Sequence, residues 1–167
     1  MMIVLRLIHI GCGVYWAGTM IFYSVMLEPS LRASGPEGGK VLQALMRRGH
    51  MTIMPIVAGL TILTGIELMR NASGGFVPEW FSSGPGRGYS IGGLAAILSL
   101  GLGLAVTRPL GLRMSALTKQ AAVAAEPDRS KLTAELETVG RHMRLGARTV
   151  TLLVVIAVVL MAIARYL

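Results

Sequence analysis

This sequence predicts an all-α integral membrane protein, a four-helix up-down bundle with a cytoplasmic helical hairpin extension between spans three and four. Three observations predict it. The 167 residues are 53% hydrophobic and only 14% charged, with mean hydropathy +0.65; soluble domains carry about 25% charged residues. The apolar residues fall into four runs, each near the ~20 residues that cross a hydrocarbon core. The basic residues sit between those runs and are strongly biased to one side. A net charge of +8 could otherwise suggest nucleic acid. Here the charges occupy short segments flanking apolar spans, as membrane topology requires, so nucleic-acid binding is excluded.

The spans cover residues 3–27, 50–69, 89–106 and 147–167. An even number puts both termini on one side. That side holds Arg6, Arg70, Arg87 and Arg165; the other twelve Lys and Arg residues lie opposite. Cytoplasmic loops carry the Lys/Arg excess. The expected location is a bacterial inner membrane, with both termini in the periplasm or outside.

The first span is too long, and lacks the small-residue cleavage pattern, for a removable signal. It carries Arg6, His9, Cys12 and Trp16 and closes at Glu28-Pro29. One cysteine excludes an internal disulfide and a multi-cysteine zinc site. Next, Val41, Leu42, Leu45 and Met46 recur at helical spacing. That pattern predicts one long helix running into the second span, bent near Pro55.

The segment 71–88 is rich in Gly, Ser and Pro and holds Phe76, Trp80 and Phe81, which predicts a short interfacial turn near residues 78–82. In the third span, Ala95, Ser99, Gly103 and Thr107 fall four apart. Such a face serves helix packing within the bundle, or a dimer. Between the last spans, residues 109–144 carry two apolar stripes, Leu110, Met114, Leu117, Ala121 and Leu132, Leu136, Val139, Met143. A turn at Glu126-Pro127-Asp128 separates them, with Asp128 or Ser130 as the helix cap. Arms of 16 residues would reach roughly 24 Å into the cytoplasm; the alternative is an interfacial helix pair lying flat on anionic lipid.

The chemistry-bearing residues form two layers. Toward the termini, His9 and Glu67 lie at similar depth on antiparallel helices, a pairing suited to proton relay or to fixing an imidazole tautomer; alternatively, Glu67 pairs with Arg70. Toward the cytoplasm lie Glu28, Met46, His50, Met54, His142 and Met143. Met46, His50 and Met54 are four apart and share a face if the helix is continuous. Thioether with imidazole is a donor set that suits Cu(I). His50 and His142 on neighbouring helices are instead a pair suited to b-type haem. His9 and His50 stand roughly 20 Å or more apart by helical rise, so they cannot ligate one group. No nucleotide loop, nucleophile elbow or zinc motif occurs, and no reaction is assigned.

Leu5-Arg6-Leu7-Ile8-His9, Trp16-Ala17-Gly18 and Pro29, followed by Arg47, Arg48, Pro55 and Leu63-Thr64-Gly65, resemble a loose group of bacterial four-helix membrane proteins. The group includes copper-resistance D-like proteins and the haem-containing protoporphyrinogen oxidases. The likeness extends to about Arg70 and implies that His9 is the cofactor or metal histidine. The oxidases pair that histidine with a third-helix lysine. The third span here has no Lys, His or Arg, which argues against oxidase activity. Three functions follow as expectations: a haem b protein for electron transfer or cofactor handling, a copper-handling protein using the Met/His face, or a cofactor-free subunit of a homodimer or larger membrane complex.

Overall fold

The computed structural model describes residues 1–167, apart from the Pro36 side chain. Its elements are helical, with no strand among the described residues. Four helices are long and apolar enough to cross a membrane: α1 (Met2–Ala33), α3 (His50–Ala72), α5 (Gly84–Val123) and α6 (Asp128–Tyr166). Two short helices, α2 (Pro36–Arg47) and α4 (Pro78–Phe81), lie in the connections. Helix α4 occupies the interfacial turn expected near residues 78–82.

Helix α1 packs on α3, α3 on α5, α5 on α6 and α6 on α1. Gly88 meets Ala164, Ser99 Oγ donates to the Val150 carbonyl at 3.2 Å, and Arg113 pairs with Glu135. Helices α5 and α6 are therefore antiparallel along their whole length. Ser24 and Thr151 share a 2.6 Å hydroxyl hydrogen bond that ties α1 to α6.

The packing inverts that of a soluble protein. Its interior is made of Ala17, Ala58, Thr61, Ala95, Ala96, Ser99 and Ala157, while Leu7, Val14, Leu63, Leu94, Leu98 and Leu152 point outward. Lipid tails are as apolar as leucine, so helices associate through close packing of small residues and interhelical hydrogen bonds. Gly92 illustrates the closeness: a Cβ there would lie 3.3 Å from the Ala157 carbonyl oxygen. The face of Ala95, Ser99, Gly103 and Thr107 is spent inside the chain. Ala95 and Ser99 are buried, and Thr107 lies against Gly146.

Three expected boundaries are corrected. Helix α1 does not end at Glu28-Pro29 but runs on to Ala33 through a π-turn at Tyr23–Leu27. Helix α5 has a matching π-turn at Gly103–Thr107, again two residues before a proline, Pro109. Proline lacks an N–H and its ring crowds the carbonyl four residues back. The preceding turn widens, and the Glu28 and Arg108 amides reach back five residues to the Tyr23 and Gly103 carbonyls. Second, α2 does not continue into α3. The chain breaks at Gly49, which takes φ 86°, a left-handed conformation natural to glycine, whereas α3 passes through Pro55 unbroken. Third, neither Asp128 nor Ser130 caps α6, which starts without a side-chain cap.

Candidate functional site

Both π-turns and the break at Gly49 fall at one end of the four spans. The space between them is a cavity of about 100 Å³. Its wall carries Met20, Met46, Met51, Met54 and Met143 with His50, beside Trp16, Tyr23 and Arg108. The widened turns supply part of this wall, Tyr23 from α1 and Gly103, Leu104 and Thr107 from α5. A π-bulge often marks a functional position because it re-aims side chains within a helix.

The thioethers converge in measurable ways. A Cβ built on Gly111 would collide with the Met51 methyl and lie 3.7 Å from the Met143 methyl. The missing side chain at Gly111 thus leaves room for methionine ends from both α3 and α6. Met54 is buried and Met46, Met51 and Met143 are half-buried. The His50 ring is half-buried and makes no hydrogen bond among the described residues. Met46 reaches the cavity from α2 and His50 from α3. The shared helix face expected for them is replaced by convergence across the Gly49 break. His142 is exposed and does not line the cavity.

Among the described residues, no three His, Cys, Asp or Glu side chains group as a metal site. The donors that do gather are sulfur and one imidazole, a set matched to soft monovalent ions rather than to zinc or magnesium.

The other histidine layer is built differently. His9 Nδ1 lies 2.8 Å from the Thr61 carbonyl oxygen and 3.4 Å from Thr64 Oγ1. Its ring lies flush on Gly65, where an added Cβ would stand 2.9 Å from Cε1. The nitrogen facing a carbonyl oxygen must carry the proton.

The expected partner Glu67 is elsewhere. It accepts two hydrogen bonds from Arg70, at 2.8 and 2.7 Å, and one from Asn71 at 3.0 Å. At about 100° per residue, Glu67 falls roughly 120° round the helix from Thr61. Equal depth therefore did not bring it to His9, and Arg70 is the partner that it finds. Arg6 is exposed without an ion-pair partner among the described residues, and Trp16 is buried in the cavity wall. Glu28 lies 3.8 Å from Arg144.

Sequence reasoning missed the His9 partners Thr61, Thr64 and Gly65, and the wall residues Met20, Tyr23 and Arg108. Thr61, Thr64 and Gly65 had a signal, since small and hydroxylated residues at i, i+3 and i+4 mark a helix contact face. Tyr23 had none, because the π-turn sets its direction.

No protein-family model matches the chain, nor does any curated protein or solved structure.

Proposed function

We propose that the chain is a bacterial inner-membrane protein that handles copper(I) in the methionine-lined cavity. It is read as a four-helix up-down bundle, with both termini outside and the paired ends of α5 and α6 in the cytoplasm. One observation carries the functional reading: Met46, Met51, Met54 and Met143, from three helices, line a single cavity together with His50. Thioether sulfur and neutral imidazole bind Cu(I) well and bind hard cations poorly.

Size favours an ion. Organic cofactors occupy pockets of roughly 300–1,000 Å³, whereas this cavity is about 100 Å³. A haem held by two histidines also needs His142, which lies outside the wall. His9 is occupied on one nitrogen by Thr61 and stands in the opposite layer. The haem reading therefore has less support than the copper reading.

The test is metal analysis of detergent-purified protein loaded anaerobically with Cu(I), together with oxidised and reduced absorption spectra. Stoichiometric copper, lost in Met54→Leu and His50→Ala, is the expected result. A Soret band that depends on His9, His50 or His142 would instead establish haem. Neither copper nor chromophore would leave the subunit reading. The orientation has a separate check. Cysteines placed at Ser130 and Ser82 should be labelled from the cytoplasm and from outside, respectively; the reverse pattern overturns it.

A further inference from the structure

A second cavity, of about 210 Å³, adjoins the first and shares Tyr23, Met143 and Ala147 with it. Its character differs. Glu28, Arg32 and Arg144 line it, on a floor formed by Gly38 and Gly39 of α2. The sequence builds this space in two steps. The π-turn before Pro29 carries α1 onward, so that Glu28 and Arg32 stand one turn apart beyond the apolar run. Gly38 then lets α2 press onto α1, because any Cβ there would collide with the Leu31 backbone.

The charges in this cavity are only partly matched to each other. The Glu28 carboxylate is largely buried, with 17% of its side chain exposed, and its cationic neighbour Arg144 Nε is 3.8 Å away. That distance is beyond hydrogen-bond reach. Among the described residues, Glu28 accepts no hydrogen bond and Arg32 makes no ion pair. A carboxylate with open lone pairs thus lies 3.8 Å from the Arg144 guanidinium, and the exposed Arg32 brings a second guanidinium to the same cavity wall. Arginine forks match phosphate oxygens, and a carboxylate matches an ammonium group.

We propose that this cavity binds a phosphate ester bearing a primary ammonium, with the phosphate on Arg32 and Arg144 and the ammonium on Glu28. Two sources present that group: the headgroup of an aminophospholipid at the cytoplasmic leaflet, and free phosphoethanolamine. The mixed signs select against purely anionic headgroups, which would meet Glu28, and against choline, whose methylated nitrogen cannot donate a hydrogen bond to it.

The experiment is native mass spectrometry of the full chain in detergent, titrated with short-chain phosphatidylethanolamine, phosphatidylglycerol and phosphatidylcholine. The ethanolamine lipid should bind about tenfold more tightly than the other two, the difference that one charge-assisted hydrogen bond makes. Glu28→Gln should erase this preference while phosphate-dependent binding remains. Arg144→Gln should weaken all three lipids, with Arg32→Gln as the second variant should Arg144→Gln fail to fold. Displacement of the bound lipid by free phosphoethanolamine would support the site and assign it to a soluble ligand. Resistance to displacement would assign it to the leaflet. Equal binding of the three headgroups, or a preference unchanged in Glu28→Gln, overturns the proposal.

Discussion

The two histidine layers face opposite ends of the same bundle and are built on opposite principles. Around His9 the neighbours are helix backbone and a short hydroxyl side chain. The ring hydrogen-bonds a backbone carbonyl on one edge and lies against the bare backbone of Gly65 with another. Around His50 the neighbours are flexible thioethers, the helices carry π-turns or break, and space remains. The first arrangement fixes how α1 meets α3. The second leaves room for something to bind. An ionisable residue inside a span therefore says nothing by itself about function; the stiffness of its surroundings separates a fastener from a site.

The sharpest way to break this contrast is metal retention. His50→Ala combined with Met54→Leu should reduce Cu(I) affinity by about a hundredfold, some 2.7 kcal/mol, while His9→Ala leaves it unchanged. Loss of copper in His9→Ala, measured by competition with a Cu(I) chelator, would merge the two layers into one function. Stability should show the reverse order. Gly65→Val drives a branched side chain into the His9 ring and should cost about 1–3 kcal/mol, the range for overpacking, read as lowered thermal stability in detergent.

Gly111→Ala makes the finer comparison. Its Cβ also collides with a neighbour, but that neighbour is the methyl end of Met51, which can swing away. Alanine also improves on glycine within a helix by about 1 kcal/mol. Thermal stability should change by less than about 1 kcal/mol while copper binding falls, because the Met51 thioether is displaced from its place in the cavity wall. The smallest effect is expected at Ser99, a residue of the cavity wall that offers no soft donor. Ser99→Ala removes only the hydrogen bond to the Val150 carbonyl and should cost about 0.6 kcal/mol, the typical value for such a bond between membrane helices.

The four spans were legible in the sequence because hydropathy and charge are carried by whole segments. The cavity's main donors, Met46, His50 and Met54, were legible as a spacing of four. The reason given for that spacing failed: Gly49 breaks the helix, and the donors meet across the break. Length alone gave no sign that a proline two residues beyond each π-turn would widen a turn instead of ending the helix. Glu67 was placed at the right depth but on the wrong azimuth, because depth follows from counting residues whereas the facing direction depends on which neighbour packs where. The role of the small-residue face of α5 followed the commoner of its two uses, packing within the chain.

The π-turns at Tyr23–Leu27 and Gly103–Thr107 also bear on which length changes the chain will accept. Each is geometrically an α-helix holding one surplus residue. Removing one residue from either segment lets the backbone relax to ordinary α geometry while everything beyond keeps its azimuth. Removing one residue anywhere else in the same helix turns all that follows by about 100°, exchanging lipid-facing leucines for interior alanines. These two short segments are therefore places where the chain can shorten by one residue without scrambling the bundle. Such a deletion would erase the widened wall of the cavity and keep the fold around it.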